Sequence, residues 1–342
     1  MADTNVAIDV NPLVVGDQTK VADSLAEISP EEIAAMNWYY EMELKPGCFT
    51  GGFNKFTNMV PTHSLLERVD VSGLRTLDIG GMEGAFSVLL DRAGASVDVY
   101  DRVDMQDRID LVQQAYGTQI NYFGGDPFHI FVEDHINRGA EPYEFVLFSG
   151  VLYHVIEPML FLHQIRALMR PGALMVLETS LIPDEECCLY FNHEGRFYKG
   201  SNYYQVSSAW LDYALRLLGF KVHNVEYIDN KEWKGDGRDV VRAAVLVELT
   251  SEPVVRTQDR WAQRKLVEVE LEEFQVVPEY EPCSLADRIR PQGFNRLDIT
   301  RREALHKGTQ SLDITRLLQA KAPLKINDRT CVRHLEDQLK RS

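Results

Sequence analysis

Between residues 75 and 180 the chain alternates short runs of β-forming apolar residues with runs of helical periodicity. That alternation calls for parallel strands joined by crossover helices. Strands are predicted over residues 76–79, 96–100, 119–123, 145–148 and 174–178. Helices are predicted over 86–93 and 159–169, the second ended by Arg170-Pro171-Gly172. A helix over 208–218 stops at Gly219, and segments 221–227 and 243–249 supply antiparallel strands that close the sheet. The predicted fold class is α/β, a Rossmann-like seven-stranded αβα sandwich with a mostly parallel sheet, over residues 70–250, with an N-terminal helical cap and a C-terminal extension.

The flanks read differently. Residues 1–28 lack periodicity and are expected to be an arm. Ser29-Pro30-Glu31-Glu32 offers an N-cap hydroxyl, a proline at the first helical position and a glutamate at the third, so a helix should run to about residue 42, carrying Trp38, Tyr39 and Tyr40. LKPGCFTGGFNKF, with glycines at 47, 51 and 52, reads as a loop able to cover a pocket, which makes 29–69 a cap and substrate mouth. Residues 251–342 are charged and proline-punctuated, mix apolar and charged positions over 261–274 and contain LDITR twice, at 297–301 and 312–316. An extension serving oligomer contact or lid duty is expected there, and with it a homo-oligomer.

Charge narrows the partners. Residues 251–342 hold 17 basic and 15 acidic side chains, leaving 19 basic and 37 acidic in residues 1–250. A protein that holds a polynucleotide offers a basic groove to its phosphates, so a body of net charge −18 disfavours nucleic acid. The five cysteines show no CxxC spacing, which predicts neither a metal site nor a disulfide framework. MADTNVAIDVNP has acidic residues where a signal peptide would be basic, and the most apolar window, 145–162, is interrupted by His154, Glu157 and Pro158. A cytoplasmic protein without membrane contact is the expectation.

The chemistry concentrates at strand ends. LDIGGMEG, residues 77–84, places Asp78, Gly80, Gly81 and Gly84 at the end of the first strand, where missing side chains let backbone approach a ligand. Asp101 ends the second strand, where a carboxylate can accept both hydroxyls of a ribose, with Arg102 beside it. A dinucleotide site wants GxGxxG so that a helix N-terminus meets a pyrophosphate. Here the spacing differs and Glu83 stands near the helix start, where it would repel phosphate. S-adenosylmethionine, which is cationic and lacks phosphate, fits better. Asp126 after the third strand could accept the adenine amine, or form a plain Asp-Pro turn. The fourth strand delivers FSGVLYH, residues 148–154, with Ser149 and Gly150 toward the methionine amino group and Tyr153 and His154 toward the methyl group and acceptor.

These residues resemble class I S-adenosylmethionine methyltransferases of the branch that includes the enzymes modifying the tRNA wobble uridine. The resemblance runs from about residue 37 to 249 through NWYYEMELKPGCFTGG, LDIGGMEGAFS, Asp101, FSGVLYHVIEPM, PGALMVLETS and NYYQVSSAWL. It implies that Gly80 and Gly84 line the methionine side, that Asp101 holds the ribose, that Tyr153 sits near the sulfonium and that Trp38 and Tyr203 border the substrate mouth. Two features depart from the pattern: Gly81-Met82 after the first glycine, and the lack of a basic cluster of the kind carboxymethyl-transferring members use, for which Lys45 and Lys55 are only loose candidates.

The predicted activity is methyl transfer to an oxygen or nitrogen of a small molecule. His154 is the candidate base, with a packing role as the alternative. His63, His129 and His193 are assigned surface or structural roles. Glu178 is a candidate base or substrate ligand, or else an internal hydrogen-bonding group. Phe49, Tyr203 and Tyr204 are candidate substrate contacts, the tyrosines stacking on a planar acceptor or packing under the lid. A tRNA-modifying enzyme and a cofactor-binding scaffold without activity are the alternatives.

Overall fold

The computed structural model describes residues 25, 27–52, 59–197, 202–235, 237–250, 280–289 and 314–324. Its centre is a sheet in which β3 (Arg75–Ile79), β4 (Ser96–Asp101), β5 (Ile120–Gly124), β6 (Tyr143–Ser149) and β7 (Met169–Ile182) run parallel. The antiparallel pair β10 (Phe220–Gly235) and β11 (Arg238–Leu249) joins through β11 to β7, giving the order β10-β11-β7-β6-β3-β4-β5. Two short strands, β8 (Leu189–Phe191) and β9 (Tyr204–Ser207), extend the sheet beside the end of β7. This is the predicted α/β sandwich.

Both faces of the sheet are buried, as crossover topology requires. Within β6, Val146 and Phe148 enter one apolar cluster while Phe145 and Leu147 enter the other; β7 repeats the alternation with Met175 and Leu177 against Leu174 and Val176. The crossover helices are α3 (Ala85–Arg92), α4 (Gln106–Tyr116), α5 (Phe128–Asn137) and α6 (Pro158–Ala167), and α7 (Ser208–Leu217) precedes β10. Helices α4 and α5 are additional to those predicted. Their buried residues Ile109, Val112 and Tyr116, and Phe128, Phe131, Val132 and His135, nevertheless follow a helical stripe.

The cap departs from expectation. Helix α1 spans Pro30–Ala35 and has the predicted capping box, but it ends seven residues before Met42. Met36 turns extended (ψ 147°) and the Trp38 indole donates to the Ile33 carbonyl at 2.7 Å, satisfying a helix-end acceptor from outside. The expected loop begins as a hairpin, β1 (Glu43–Lys45) and β2 (Cys48–Phe49), turned at Gly47 with φ +71°. Helix α2 (Val60–Leu66) then packs against β10 and β11.

The described pieces of residues 251–342 dock on this body. Cys283 donates its N–H to the Pro171 carbonyl at 2.8 Å, so closely that a Cβ on Gly172 would fall 1.7 Å from the Cys283 oxygen. Helix α8 (Ile314–Ala320) packs on α7 and β10 and buries Ile314, Leu317 and Leu318 in the main core. Residues 261–274, the first LDITR copy, Lys55 and nearly all of the 1–28 arm lie outside the described residues. No described helix is long and apolar enough to cross a membrane.

Candidate active site

From β3 the chain crosses to β4 on one side, while β6 lies on the other. Their carboxyl ends therefore diverge between β3 and β6, the place where open α/β sheets bind ligands. A cavity of about 810 Å³ opens there, floored by Gly80, Ser149 and Gly150 and walled by Asp101, Tyr39, Tyr40, His154 and Tyr203. Gly80 has φ +74°, and a Cβ on it would fall 2.2 Å from Val151 Cγ2; no side chain fits between these strand ends. Gly150 has φ +78°, and its N–H donates to the Glu178 carbonyl at 3.0 Å.

Asp101 is 5% exposed. Its Oδ2 accepts the Met82 N–H and its Oδ1 the Val103 N–H, both at 2.9 Å. A carboxylate offers about four acceptor positions, so each oxygen retains capacity for a ligand hydroxyl. Burial pushes its pKa up, opposed by the N–H groups of Val103, Met82 and Arg102. Arg102 also lines the cavity, and Tyr100, Pro127 and Phe128 make an adjoining, largely apolar wall. The Tyr100 and Phe128 ring centroids are 5.0 Å apart.

Several predicted residues support the cavity without lining it. Gly81 packs on Val99 and Asp78, and Gly84 (φ +82°) starts α3 against Ile109. Asp78 is buried behind the turn and accepts the Ser87 hydroxyl at 2.6 Å. Burial drives its pKa up to about 7, against the opposing Ser87 bond. The folded state therefore binds a proton more tightly than the unfolded chain. Stability is full below the ordinary carboxylate range and falls, as pH rises toward 7, by up to about 1.4 kcal/mol per pH unit. Asp78→Asn is expected to flatten that slope in urea denaturation between pH 5 and 7.

Other assignments are corrected. Asp126 is exposed and outside the cavity lining; its main-chain carbonyl accepts the Tyr100 hydroxyl at 2.7 Å, while Pro127 forms the wall. Trp38 is 3% exposed and belongs to the core under the cap; its neighbours Tyr39 and Tyr40 reach the cavity instead. Phe49 lies on β2 and Tyr204 on β9, edge-on to Phe191, and neither lines the cavity. Of the tyrosine pair at 203–204, Tyr203 is on the wall.

Glu178 is fully buried and does not face the cavity. Its two oxygens accept from Arg242 Nε at 2.5 Å and Nη2 at 2.6 Å. Burial pushes its pKa up while the guanidinium opposes the shift. Arg242 sits on β11 opposite Ser180, two residues along β7 from Glu178, so the pair is a diagonal cross-strand contact. Arg242 Nη1 also donates to the Tyr153 hydroxyl at 2.9 Å. Tyr153, expected to face the methyl group, is instead buried beneath the Gly150 turn and outside the cavity lining, and its carbonyl accepts the Tyr203 N–H at 2.9 Å. The sequence reading missed Arg242, although one arginine inside the apolar run VVRAAVLVEL is a signal for a buried ionic partner.

His154 stands exposed on the cavity wall, with its ring 4.4 Å from that of Tyr153. His129 also lines the cavity, whereas His63 is buried against Phe86. Lys45 donates to the Ile28 carbonyl in the cap, away from the cavity lining. Among the described residues no cluster of histidine, cysteine or carboxylate side chains could hold a metal ion.

A family model described as a methyltransferase domain matches residues 20–233. The chain is 29% identical over 173 residues to the tRNA U34 carboxymethyltransferase of Idiomarina loihiensis, an overlap of 47% of this chain and 51% of that one. It is 32% identical over 113 residues to the ubiquinone biosynthesis O-methyltransferase of Caulobacter sp. strain K31, covering 33% of this chain and 43% of that one. The chain thus spans about half the length of the curated relatives it matches. Among solved structures, the 1,6-didemethyltoxoflavin-N1-methyltransferase of Burkholderia thailandensis aligns with a TM-score of 0.41 and 20% identity, over 57% of this chain and 77% of that one.

Proposed function

The chain belongs to the methyltransferase-domain family, whose methyl donor is S-adenosylmethionine, and from that premise we propose that it methylates an oxygen or nitrogen of a small-molecule acceptor. The observation that carries this reading is the cavity lining. It joins a ribose-type carboxylate and bare strand ends to an aromatic mouth of Tyr39, Tyr40 and Tyr203. Arg102 is the sole lysine or arginine among the described lining residues, and it neighbours Asp101 rather than the mouth. Such a mouth suits an uncharged aromatic or apolar acceptor better than a polyanion.

Bound, the donor supplies an electrophilic methyl group on a sulfonium. The chain's own residues then divide the work. Asp101 takes the ribose hydroxyls on its spare acceptor positions, and Gly80 and Gly150 admit the donor close to main chain. Tyr39 and Tyr203 orient the acceptor and exclude water, which is where much of the rate advantage of a displacement arises. His154 receives the proton of an acceptor O–H or N–H at the mouth. His154→Gln is expected to lower turnover by about 10²-fold or more while leaving S-adenosylhomocysteine affinity unchanged; full turnover would return His154 to a packing role.

The tRNA reading draws on the identity with the U34 carboxymethyltransferase, and the charge of residues 1–250 opposes it. Arg242 lies below Gly150 but is bound bidentately by Glu178, which favours methyl over carboxymethyl transfer. Release of S-adenosylhomocysteine should be followed with a panel of phenols, catechols and amines, and separately with unfractionated tRNA. Turnover is expected with a small molecule; turnover with tRNA alone would reverse the choice.

A further inference from the structure

Two successive residues of the turn after β3 hold different parts of the cavity wall. Met82, in the left-handed region at φ +51°, donates its N–H to Asp101 Oδ2 at 2.9 Å. Glu83, fully buried, accepts the N–H groups of Tyr39 and Tyr40 on one oxygen, Oε1, at 2.6 and 2.7 Å. Its Oε2 is buried without a hydrogen-bond partner among the described residues. Burying a carboxylate is costly, and a turn alone does not require one here. Bonds from a carboxylate to backbone N–H groups are the strong, short kind that offset this cost. Because they go to main chain, they fix the wall whatever side chains stand at 39 and 40.

The wall is braced from its other side as well. The Thr50 hydroxyl donates to the Tyr40 carbonyl at 2.6 Å and accepts the Met42 N–H at 3.0 Å. Gly52 lies so close that a Cβ would fall 2.1 Å from the Tyr40 carbonyl carbon and oxygen. Glu83 is the strut that joins this braced segment to the donor turn.

We propose that Glu83 is a positioning residue that couples occupancy of the donor site to the placement of the Tyr39–Tyr40 wall on the acceptor side, an inference that rests on the donor reading above. Ligand hydroxyls on Asp101 share that carboxylate with the Met82 N–H, so binding bears on the turn, and Glu83 passes the constraint to the wall. Coupling of this kind is reciprocal: disturbing the wall weakens donor-site binding by the same factor.

Hydrogen exchange of the full chain with and without S-adenosylhomocysteine, paired with calorimetric titration, tests this. In the wild type the ligand should slow exchange at residues 39–40 by about tenfold or more, a coupling of ordinary size. Glu83→Ala should lose that increment and bind S-adenosylhomocysteine about tenfold more weakly. Glu83→Gln keeps a carbonyl acceptor and should stay within about threefold of wild type on both readouts. Gly52→Ala, outside the cavity, should weaken binding about tenfold by displacing the wall. Gly172→Ala, which collides with Cys283 far from the turn in sequence, is the control for general destabilisation: a lower Tm with unchanged affinity. If Glu83→Ala does not fold, Gly52→Ala decides. Wild-type affinity in Gly52→Ala, or an intact increment in Glu83→Ala, overturns the coupling. Absence of binding by the wild type instead overturns the donor reading, and the coupling with it.

Discussion

Replacing Arg242 by Met is expected to lower unfolding free energy by about 3–5 kcal/mol, the range for removing one partner of a buried ion pair. Arg242 is 2% exposed and Glu178 0%. Without the guanidinium the Glu178 carboxylate loses the cation that opposes a burial already pushing its pKa up, and the Tyr153 hydroxyl loses the Arg242 donor. A carboxyl raised further in the folded state keeps its contribution below the ordinary glutamate range and loses stability as pH rises above it. The deficit should therefore be small near pH 4 and largest near pH 8 in urea denaturation. Adding Glu178→Leu to Arg242→Met removes the stranded charge and should recover most of the loss, since apolar replacement of a whole buried pair is often neutral. A deficit under about 1 kcal/mol in the single variant at pH 8, below that range, would mean that the pair does not organise this part of the sheet.

Asp101→Ala is expected to weaken S-adenosylmethionine binding by about 10²- to 10⁴-fold. Two hydrogen bonds from ligand hydroxyls to a charged acceptor are worth about 1.5–3 kcal/mol each, and tenfold in affinity is about 1.4 kcal/mol. The same substitution strands the N–H groups of Met82 and Val103, which now donate to Asp101, so part of the loss comes from a loosened turn. Asp101→Asn separates the two effects. Its amide can keep one acceptor but not two, so an affinity between those of wild type and Asp101→Ala is expected by calorimetry. Unchanged affinity in both variants would remove Asp101 from the donor site.

The fold was legible because its signals are local. The strands that end at Ile79 and Ser149 are apolar runs followed at once by glycine, the one that ends at Asp101 alternates, and the crossover helices near residues 86 and 159 carry a clear stripe. The cavity's strand-end lining was legible for the same reason, since Gly80, Asp101 and Gly150 belong to strand-to-helix turns whose position follows from the topology. The wall at Tyr39 and Tyr40 was not, because its geometry depends on contacts distant in sequence. Glu83 reads as a charge at a helix start, yet its partners stand 43 and 44 residues earlier. Glu178 reads as a strand-end acid facing a pocket until Arg242, 64 residues on, turns it inward. Trp38, rather than Tyr39, stands at the substrate mouth only by the family resemblance. Its N–H is instead used by the Ile33 carbonyl, which pulls the ring into the core.

If the cavity between β3 and β6 is a methyl-donor site, calorimetric titration of the full chain with S-adenosylmethionine will show it. One saturating site per chain is predicted, with wild-type affinity in His154→Gln and an affinity at least about 10²-fold weaker in Asp101→Ala. No heat of binding up to millimolar ligand, or equal binding by the wild type and Asp101→Ala, would contradict it.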